Sequence, residues 1–128
     1  MTEAAVLDSS ALLCLLNNEA GAERVATALP GAAISAVNLT EVVAKLRDRG
    51  LALAEIRAAL AGLSLDARPF GADQAFAAGD LRPSTRALGL SLGDRACLAL
   101  AAELGVPALT ADREWRKVEL KIDVRVVR

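Results

Sequence analysis

The sequence predicts a three-layer α/β domain in which a central parallel sheet of about five strands lies between layers of helices. Short apolar segments of strand length alternate with longer apolar-periodic or alanine-rich segments, which is the pattern of successive βαβ units. The chain of 128 residues has no internal repeat, low-complexity segment or linker, and its length is that of one domain. We therefore expect a single domain over residues 1–128.

Five segments are predicted as strands because they are short, mostly apolar and bounded by turn residues. In the last of them Val124 and Val126 alternate with Asp123 and Arg125, which predicts one buried and one exposed face. The predicted strands are residues 4–7, 32–34, 64–67, 107–109 and 122–127.

Helices are predicted between these strands from apolar residues that recur with helical periodicity. Ser35 is the expected N-cap of the third helix and Gly50 its expected end, since these residue types favour those positions. Pro83 is expected to interrupt the helical segment in which it lies. The predicted helices are within residues 12–16, 22–29, 35–50, 52–61, 71–88 and 94–104.

The composition excludes several kinds of active site. The chain has no histidine, which rules out a Ser-His-Asp triad, a Cys-His pair and any zinc site that uses imidazole. Cys14 and Cys97 lie far apart in apolar helical patterns, as buried cysteines do, and nothing indicates an oxidising compartment. The glycine-rich loops that bind nucleotides are absent. Two Phe, one Trp and no Tyr provide little base stacking.

The charge balance also restricts how the protein can bind a polyanion. The chain has 15 basic and 16 acidic residues and a net charge of −1, so contact with nucleic acid requires a local basic patch. The N-terminal residues lack the basic start of a secretion signal, and no apolar run approaches the length of a membrane span. These features predict a soluble, cytoplasmic protein that does not enter a membrane.

Four acidic residues fall at informative positions in the predicted fold. Open parallel sheets bind ligands outside the carboxyl ends of their strands, near the point where the strand order reverses. Asp8 directly follows the first predicted strand and Asp112 closely follows the fourth, so the two carboxylates come close if those strands pair. Asp94 begins the apolar stripe of its helix, where a charge needs a partner. Glu41 lies off the apolar stripe of its helix.

Each of these acids also has an ordinary structural explanation. Asp8, Asp94 and Asp112 stand at or near helix starts, where Asp is a favoured cap. Glu41 with Lys45 four residues later is the favourable orientation for a surface ion pair. Capping does not explain why the acids fall at one edge of the sheet, but position alone leaves both explanations open.

Three segments around the acids carry a family resemblance. They read VLDSSALL from residue 6, SAVNLTEV from residue 35 and LSLGDRACLALAAELGVPALTADREW from residue 90. In content, order and spacing they resemble the motifs of the PIN-domain family, in particular the VapC-type toxins of bacterial toxin–antitoxin pairs. The resemblance covers nearly the whole chain and is weakest over residues 51–88.

The resemblance implies a PIN-like fold and a metal-dependent activity. By it, Asp8, Glu41, Asp94 and Asp112 are the catalytic acids and bind one or two Mg²⁺ or Mn²⁺ ions, cations that prefer oxygen ligands. It implies an endoribonuclease toxin that hydrolyses RNA phosphodiester bonds with metal-activated water, forms a homodimer and is inhibited by a cognate antitoxin. The alternative is a PIN-like module that binds RNA or protein without cutting, against which the complete set of acids counts.

Two further groups of residues lie in or beside the motifs. Ser9, Asn38 and Thr110 are expected to support the acids through hydrogen bonds, although caps and turns also use such residues. Basic residues near the motifs are candidate contacts for the RNA backbone, with solvated surface charge as the alternative for each. These basic residues are Lys45, Arg95, Arg113 and Arg116.

Overall fold

The computed structural model describes residues 4–128 and contains one sheet of five strands. All neighbouring strands are parallel, as the sequence predicted. The strands are β1 (Val6–Leu7), β2 (Ala33–Ser35), β3 (Asp66–Arg68), β4 (Ala108–Thr110) and β5 (Val124–Val126). Their order across the sheet is β3-β2-β1-β4-β5.

Within residues 4–128, seven α-helices and two 3₁₀ helices connect and cover the strands. None of these helices is both long and apolar enough to cross a membrane. The α-helices are α1 (Ser9–Leu16), α2 (Ala22–Ala28), α3 (Ala36–Asp48), α4 (Leu53–Ala61), α5 (Ala72–Asp80), α6 (Arg82–Thr85) and α7 (Leu92–Leu104). The 3₁₀ helices are Arg86–Leu88 and Arg113–Lys117.

Some boundaries differ from those predicted. The strand expected over 64–67 begins at Asp66, because Ser64 adopts a left-handed φ of 54° that ends the preceding turn. The segment 71–88 is divided into α5, α6 and a 3₁₀ helix, and Pro83 lies in the first turn of α6, where a missing N–H costs nothing. The expected helix 94–104 begins at Leu92, since Ser91 is its N-cap.

The sheet is covered on both faces because successive strand residues point to opposite sides. Leu7 and Leu109 pack with the residues of α1 and α2, whereas Val6 and Ala108 pack with those of α7. Ile34 packs with residues of α1, α3 and α4 in a third cluster. Burial of each large aliphatic side chain contributes about 1.5–3 kcal/mol, so the core holds the strand ends in fixed positions.

The strand order reverses beside β1. The chain places β2 and β3 on one side of β1 and then crosses back to place β4 and β5 on the other. Leu7 is in register with Leu109, and the Asp8 N–H donates to the Leu109 carbonyl at 3.0 Å. The first and fourth strands therefore pair, which is the condition under which Asp8 and Asp112 come close, and the segments that follow them leave the sheet side by side.

Candidate active site

Asp8 is a buried carboxylate at the end of β1, with 3% of its surface exposed. It caps α1, because its Oδ1 accepts from the Ala11 N–H at 2.8 Å. Thr110 Oγ1 donates to Oδ2 at 2.6 Å, and Ser10 Oγ lies 2.8 and 2.9 Å from the two carboxylate oxygens. Burial raises the pKa of Asp8 from an ordinary 3.8 to about 6. The three hydrogen bonds lower this pKa and the charge of Asp94 raises it.

Glu41 is half-buried on α3 and is held by two neighbours. Its Oε1 accepts from Ser9 Oγ at 3.0 Å and from Asn38 Nδ2 at 3.1 Å. The same Asn38 nitrogen donates to the Gly93 carbonyl at 3.0 Å, which ties α3 to the start of α7. A Cβ at Gly93 would overlap the Glu41 carboxylate, so the missing side chain provides the space that Glu41 occupies.

Asp94 lies in the first turn of α7 and is half-buried, which differs from the core-facing position that its stripe predicted. Ser91 and Asp94 form a capping box. Ser91 Oγ accepts from the Asp94 N–H at 3.2 Å, and Asp94 Oδ2 accepts from the Ser91 N–H at 2.9 Å. The partner that this charge requires is therefore the helix N-terminus.

Asp112 is exposed at the start of the 3₁₀ helix Arg113–Lys117. Its Oδ1 caps that helix by accepting from the Glu114 N–H at 2.9 Å. Its own N–H donates to Thr110 Oγ1 at 3.0 Å, the hydroxyl that donates to Asp8. Thr110 therefore connects the residues that follow β1 and β4.

Three of the four acids raise the pKa of one buried group, the Cys97 thiol of α7. Burial raises the pKa of Cys97 well above its ordinary value, and the charges of Asp8, Asp94 and Glu41 raise it further. These carboxylates, from one strand end and two helices, therefore share one electrostatic environment. As the side chains lie, however, no three acidic or cysteine side chains within residues 4–128 are close enough together to hold a metal ion.

The donor chemistry at this edge nevertheless fits a hard divalent cation. The available donors are mainly carboxylate oxygens, which hard divalent cations prefer. Asn38 Oδ1, next to Glu41, is buried and has no hydrogen-bond partner in the described part of the chain. A buried acceptor without a partner costs about 1–3 kcal/mol, which favours a donor or cation beside it.

The three expected supporting residues each contact an acid, and one further supporting residue was missed. Ser9 and Asn38 contact Glu41, and Thr110 contacts Asp8. The residue not predicted is Ser10, whose hydroxyl contacts Asp8 and accepts from a backbone N–H after β4. The run of two serines in the first motif was the only sequence signal for it.

Of the four candidate basic residues, three are exposed and one, Arg95, is used in a contact between helices. Lys45 is exposed and forms no ion pair with Glu41. Arg95 is half-buried and its Nη1 donates to the Ala78 carbonyl of α5 at 3.1 Å, so its guanidinium joins two helices. The remaining two candidates are exposed on the 3₁₀ helix that follows Asp112; they are Arg113 and Arg116.

Comparison with known families identifies a similar group of proteins. The family model described as the PIN domain matches residues 5–121, which is most of the chain. The match includes all four acids and each of the three motifs. No curated protein sequence is similar enough to this chain to match it.

Solved structures share the fold at low sequence identity. A toxin–antitoxin complex from Klebsiella pneumoniae contains a chain 21% identical to this one, with a TM-score of 0.74 and coverage of 97% of this chain and 98% of that chain. VapBC2 from Rickettsia felis, bound to a DNA fragment from its promoter, gives 16% identity, a TM-score of 0.71 and coverage of 98% and 99%. DNA-bound VapBC from Salmonella typhimurium gives 20% identity, a TM-score of 0.69 and full coverage, 100%, of both chains.

Proposed function

The chain belongs to the PIN domain family, and from this premise we propose that it is a Mg²⁺- or Mn²⁺-dependent endoribonuclease, the toxin of a toxin–antitoxin pair. The observation that carries the proposal is the buried Asp8 at the carboxyl end of β1, beside the strand switch point, with Glu41 bound by the neighbouring Ser9 and Asp112 joined to Asp8 through Thr110. Proteins of this family are typically nucleases, and an acidic site at a strand switch point suits that chemistry.

In this proposal the four acids Asp8, Glu41, Asp94 and Asp112 hold the metal. When bound, the metal neutralises the phosphate and activates a water for phosphodiester hydrolysis. The protein's own contribution is orientation. Hydroxyl, amide and backbone donors hold the carboxylates against their mutual repulsion, and the carboxylate oxygens that these donors leave free would hold the cation.

The supporting contacts divide into two groups. Ser10 and Thr110 orient Asp8, and Ser9 and Asn38 orient Glu41. Both serines belong to the first turn of α1, so one helix turn controls two carboxylates from different elements. A small displacement of this turn would therefore change both proposed ligands together.

A cognate antitoxin is the proposed inhibitory partner. Toxin–antitoxin complexes are among the solved structures that share this fold. A basic side chain of the antitoxin would be attracted to the acidic edge when no metal is bound. We further propose a homodimer that acts in the cytoplasm, where its RNA substrate is found.

RNA cleavage by the purified chain tests the proposal. Wild type is compared with Asp8→Asn and with the control Glu103→Gln, whose exposed carboxylate lies on α7 about 13 Å along the helix from Asp94. We expect cleavage with Mg²⁺ or Mn²⁺ but not with EDTA, a loss of at least about 100-fold in Asp8→Asn, and no loss in the control. Absence of cleavage by wild type with either metal, or equal cleavage by Asp8→Asn, would contradict the nuclease assignment.

One observation favours a second candidate, a PIN-like module that binds RNA or protein without cutting. In the described part of the chain the carboxylates do not converge as a metal site would require. The same experiment separates the two functions. A binding module would retain RNA in a filter or gel-shift assay with Mg²⁺ present and would leave its length unchanged.

A further inference from the structure

A cavity of about 560 Å³ opens beside the candidate active site, where the chain leaves β4. Ser10, which lines it, is the residue whose hydroxyl contacts both carboxylate oxygens of Asp8. The cavity is therefore separated from the buried acid by one side chain. Its lining residues are Ser10, Ala20, Ala111, Asp112, Arg113, Glu114 and Arg128.

Two arginines border this cavity and are held differently. Arg128 is anchored, because its Nε donates to the Ala111 carbonyl at 2.9 Å and its backbone carbonyl accepts from Arg116 Nη2 at 3.4 Å. Its Nη1 lies 3.9 Å from a Glu19 oxygen, a distance that leaves the guanidinium only weakly paired. Arg113 is exposed and makes no hydrogen bond or ion pair with any residue of the described chain.

The two acidic residues on the cavity wall are already engaged. Glu114 forms an ion pair with Lys117 at 3.0 Å, and Asp112 caps the 3₁₀ helix. The guanidinium of Arg113 and the Nη2 of Arg128 keep N–H donors that no residue of the described chain uses. A guanidinium matches the geometry of a phosphate with two parallel hydrogen bonds. No aromatic side chain lines the cavity, so base stacking is not offered there.

We propose that this cavity binds a backbone phosphate of the RNA next to the one that is cleaved, with Arg113 and Arg128 as its ligands. The inference rests on the proposed ribonuclease function and adds a specific place for the substrate. Arg128 holds a fixed position through its bond to Ala111, and the exposed Arg113 side chain supplies the second guanidinium. Because the cavity adjoins Ser10 and Asp112, an RNA strand bound in it passes directly over the acidic edge of the sheet.

Binding of RNA without cleavage tests the proposal. The probe is a fluorescein-labelled, random-sequence single-stranded RNA, titrated in EDTA over a series of salt concentrations. We expect Arg113→Ala and Arg128→Ala each to weaken binding about tenfold, the loss of one charge-assisted contact. Each should also reduce the slope of log K against log salt by about 0.7, the value for one phosphate on a single strand.

Two further variants serve as controls. Lys121→Ala removes one positive charge at the opposite edge of the sheet, where Lys121 lies beside the residues that precede β4 and β5. This variant should bind RNA with an affinity and a salt slope near those of wild type. Arg128→Lys keeps the charge but not the paired donors, and should give an intermediate affinity with a nearly unchanged slope.

The outcomes separate this proposal from the proposed function. Wild-type affinity and slope in both alanine variants would overturn the RNA subsite, and a protein partner would then be the other occupant to consider. Arg113→Ala remains decisive if Arg128→Ala unfolds, since the Arg113 side chain makes no hydrogen bond or ion pair within the described chain that could be lost. If wild type binds RNA through these arginines but cleaves none with Mg²⁺ or Mn²⁺, the subsite stands and the nuclease function fails.

Discussion

At the scale of single residues, the acids are controlled by small neighbours. Ser9 and Ser10 are adjacent in the chain, yet one contacts Glu41 and the other Asp8. Gly93 contributes through the absence of a side chain, because Glu41 fills the space that a Cβ would take. Loss of one such supporting contact typically lowers metal affinity by about 10- to 100-fold.

Gly93→Ala is expected to separate metal binding from folding. The flexible end of Glu41 can move away from the new methyl group, and replacing a helical glycine by alanine favours the helix by about 1 kcal/mol. We expect an unchanged or higher melting temperature together with Mn²⁺ affinity about 10-fold weaker, measured by calorimetry.

Gly79→Ala is the matched control. Gly79 also lies in a helix, and a Cβ there would meet no atom within 4 Å. It should stabilise the protein similarly and leave Mn²⁺ affinity unchanged. Equal affinities in the two variants would show that the contact between Gly93 and Glu41 does not position a ligand.

At the scale of elements, capping and the proposed metal binding involve the same acids. Asp8, Asp94 and Asp112 each accept a backbone N–H at a helix start, as the ordinary explanation predicted. The two roles are compatible, since a carboxylate has two oxygens and about four acceptor positions. Three helix N-termini at one edge also offset part of the negative charge gathered there.

Two substitutions at Asp94 should distinguish these roles. Asp94→Asn keeps an oxygen that can accept from the Ser91 N–H, so it should lower the free energy of unfolding by less than about 1 kcal/mol. Asp94→Ala also loses this capping bond and should lower the free energy of unfolding by about 1 kcal/mol more than Asp94→Asn does. At a Mn²⁺ concentration of 100 times Kd, wild type should gain about 10 °C in melting temperature. Both variants should lose most of this gain. A full Mn²⁺ response in Asp94→Asn would leave Asp94 with the capping role alone.

At the scale of the whole molecule, burial of Asp8 links stability to pH. Its pKa is about 6 in the folded protein and an ordinary 3.8 when unfolded, so the folded state binds the proton more tightly. The favourable contribution of the protonated form is present below about pH 4 and is lost as pH rises to about 6 and above.

We expect the metal-free protein to lose about 2 kcal/mol of unfolding free energy between about pH 4 and pH 7 through Asp8 alone. Asp8→Asn has no such proton, so it should become more stable than wild type above about pH 6. Urea denaturation in EDTA at several pH values measures the difference, with Glu103→Gln as the control. Parallel pH curves for wild type and Asp8→Asn would contradict this account.

The sequence predicted most of the fold because periodicity and turn chemistry are local signals. The predicted alternation is confirmed in β5, where Val124 and Val126 are more buried than Arg125 between them. The predicted N-cap is confirmed in α3, where the Ser35 side chain accepts from the Val37 N–H. Boundaries were wrong where a single residue decided them. Ser64 adopts a left-handed φ, which favours glycine and is uncommon for serine, and Ser91 rather than Asp94 caps α7.

The sequence by itself determined the fold class, the family and the identity of the candidate acids. Only the tertiary structure decided which serine contacts which acid, that Gly93 accommodates Glu41, and that Arg128 reaches the cavity beside Asp112. The physical reason is that strand and helix patterns arise from near neighbours in the chain. A site at a strand switch point is instead assembled from residues about a hundred positions apart, such as Asp8 and Thr110, whose meeting depends on the packing of the whole sheet.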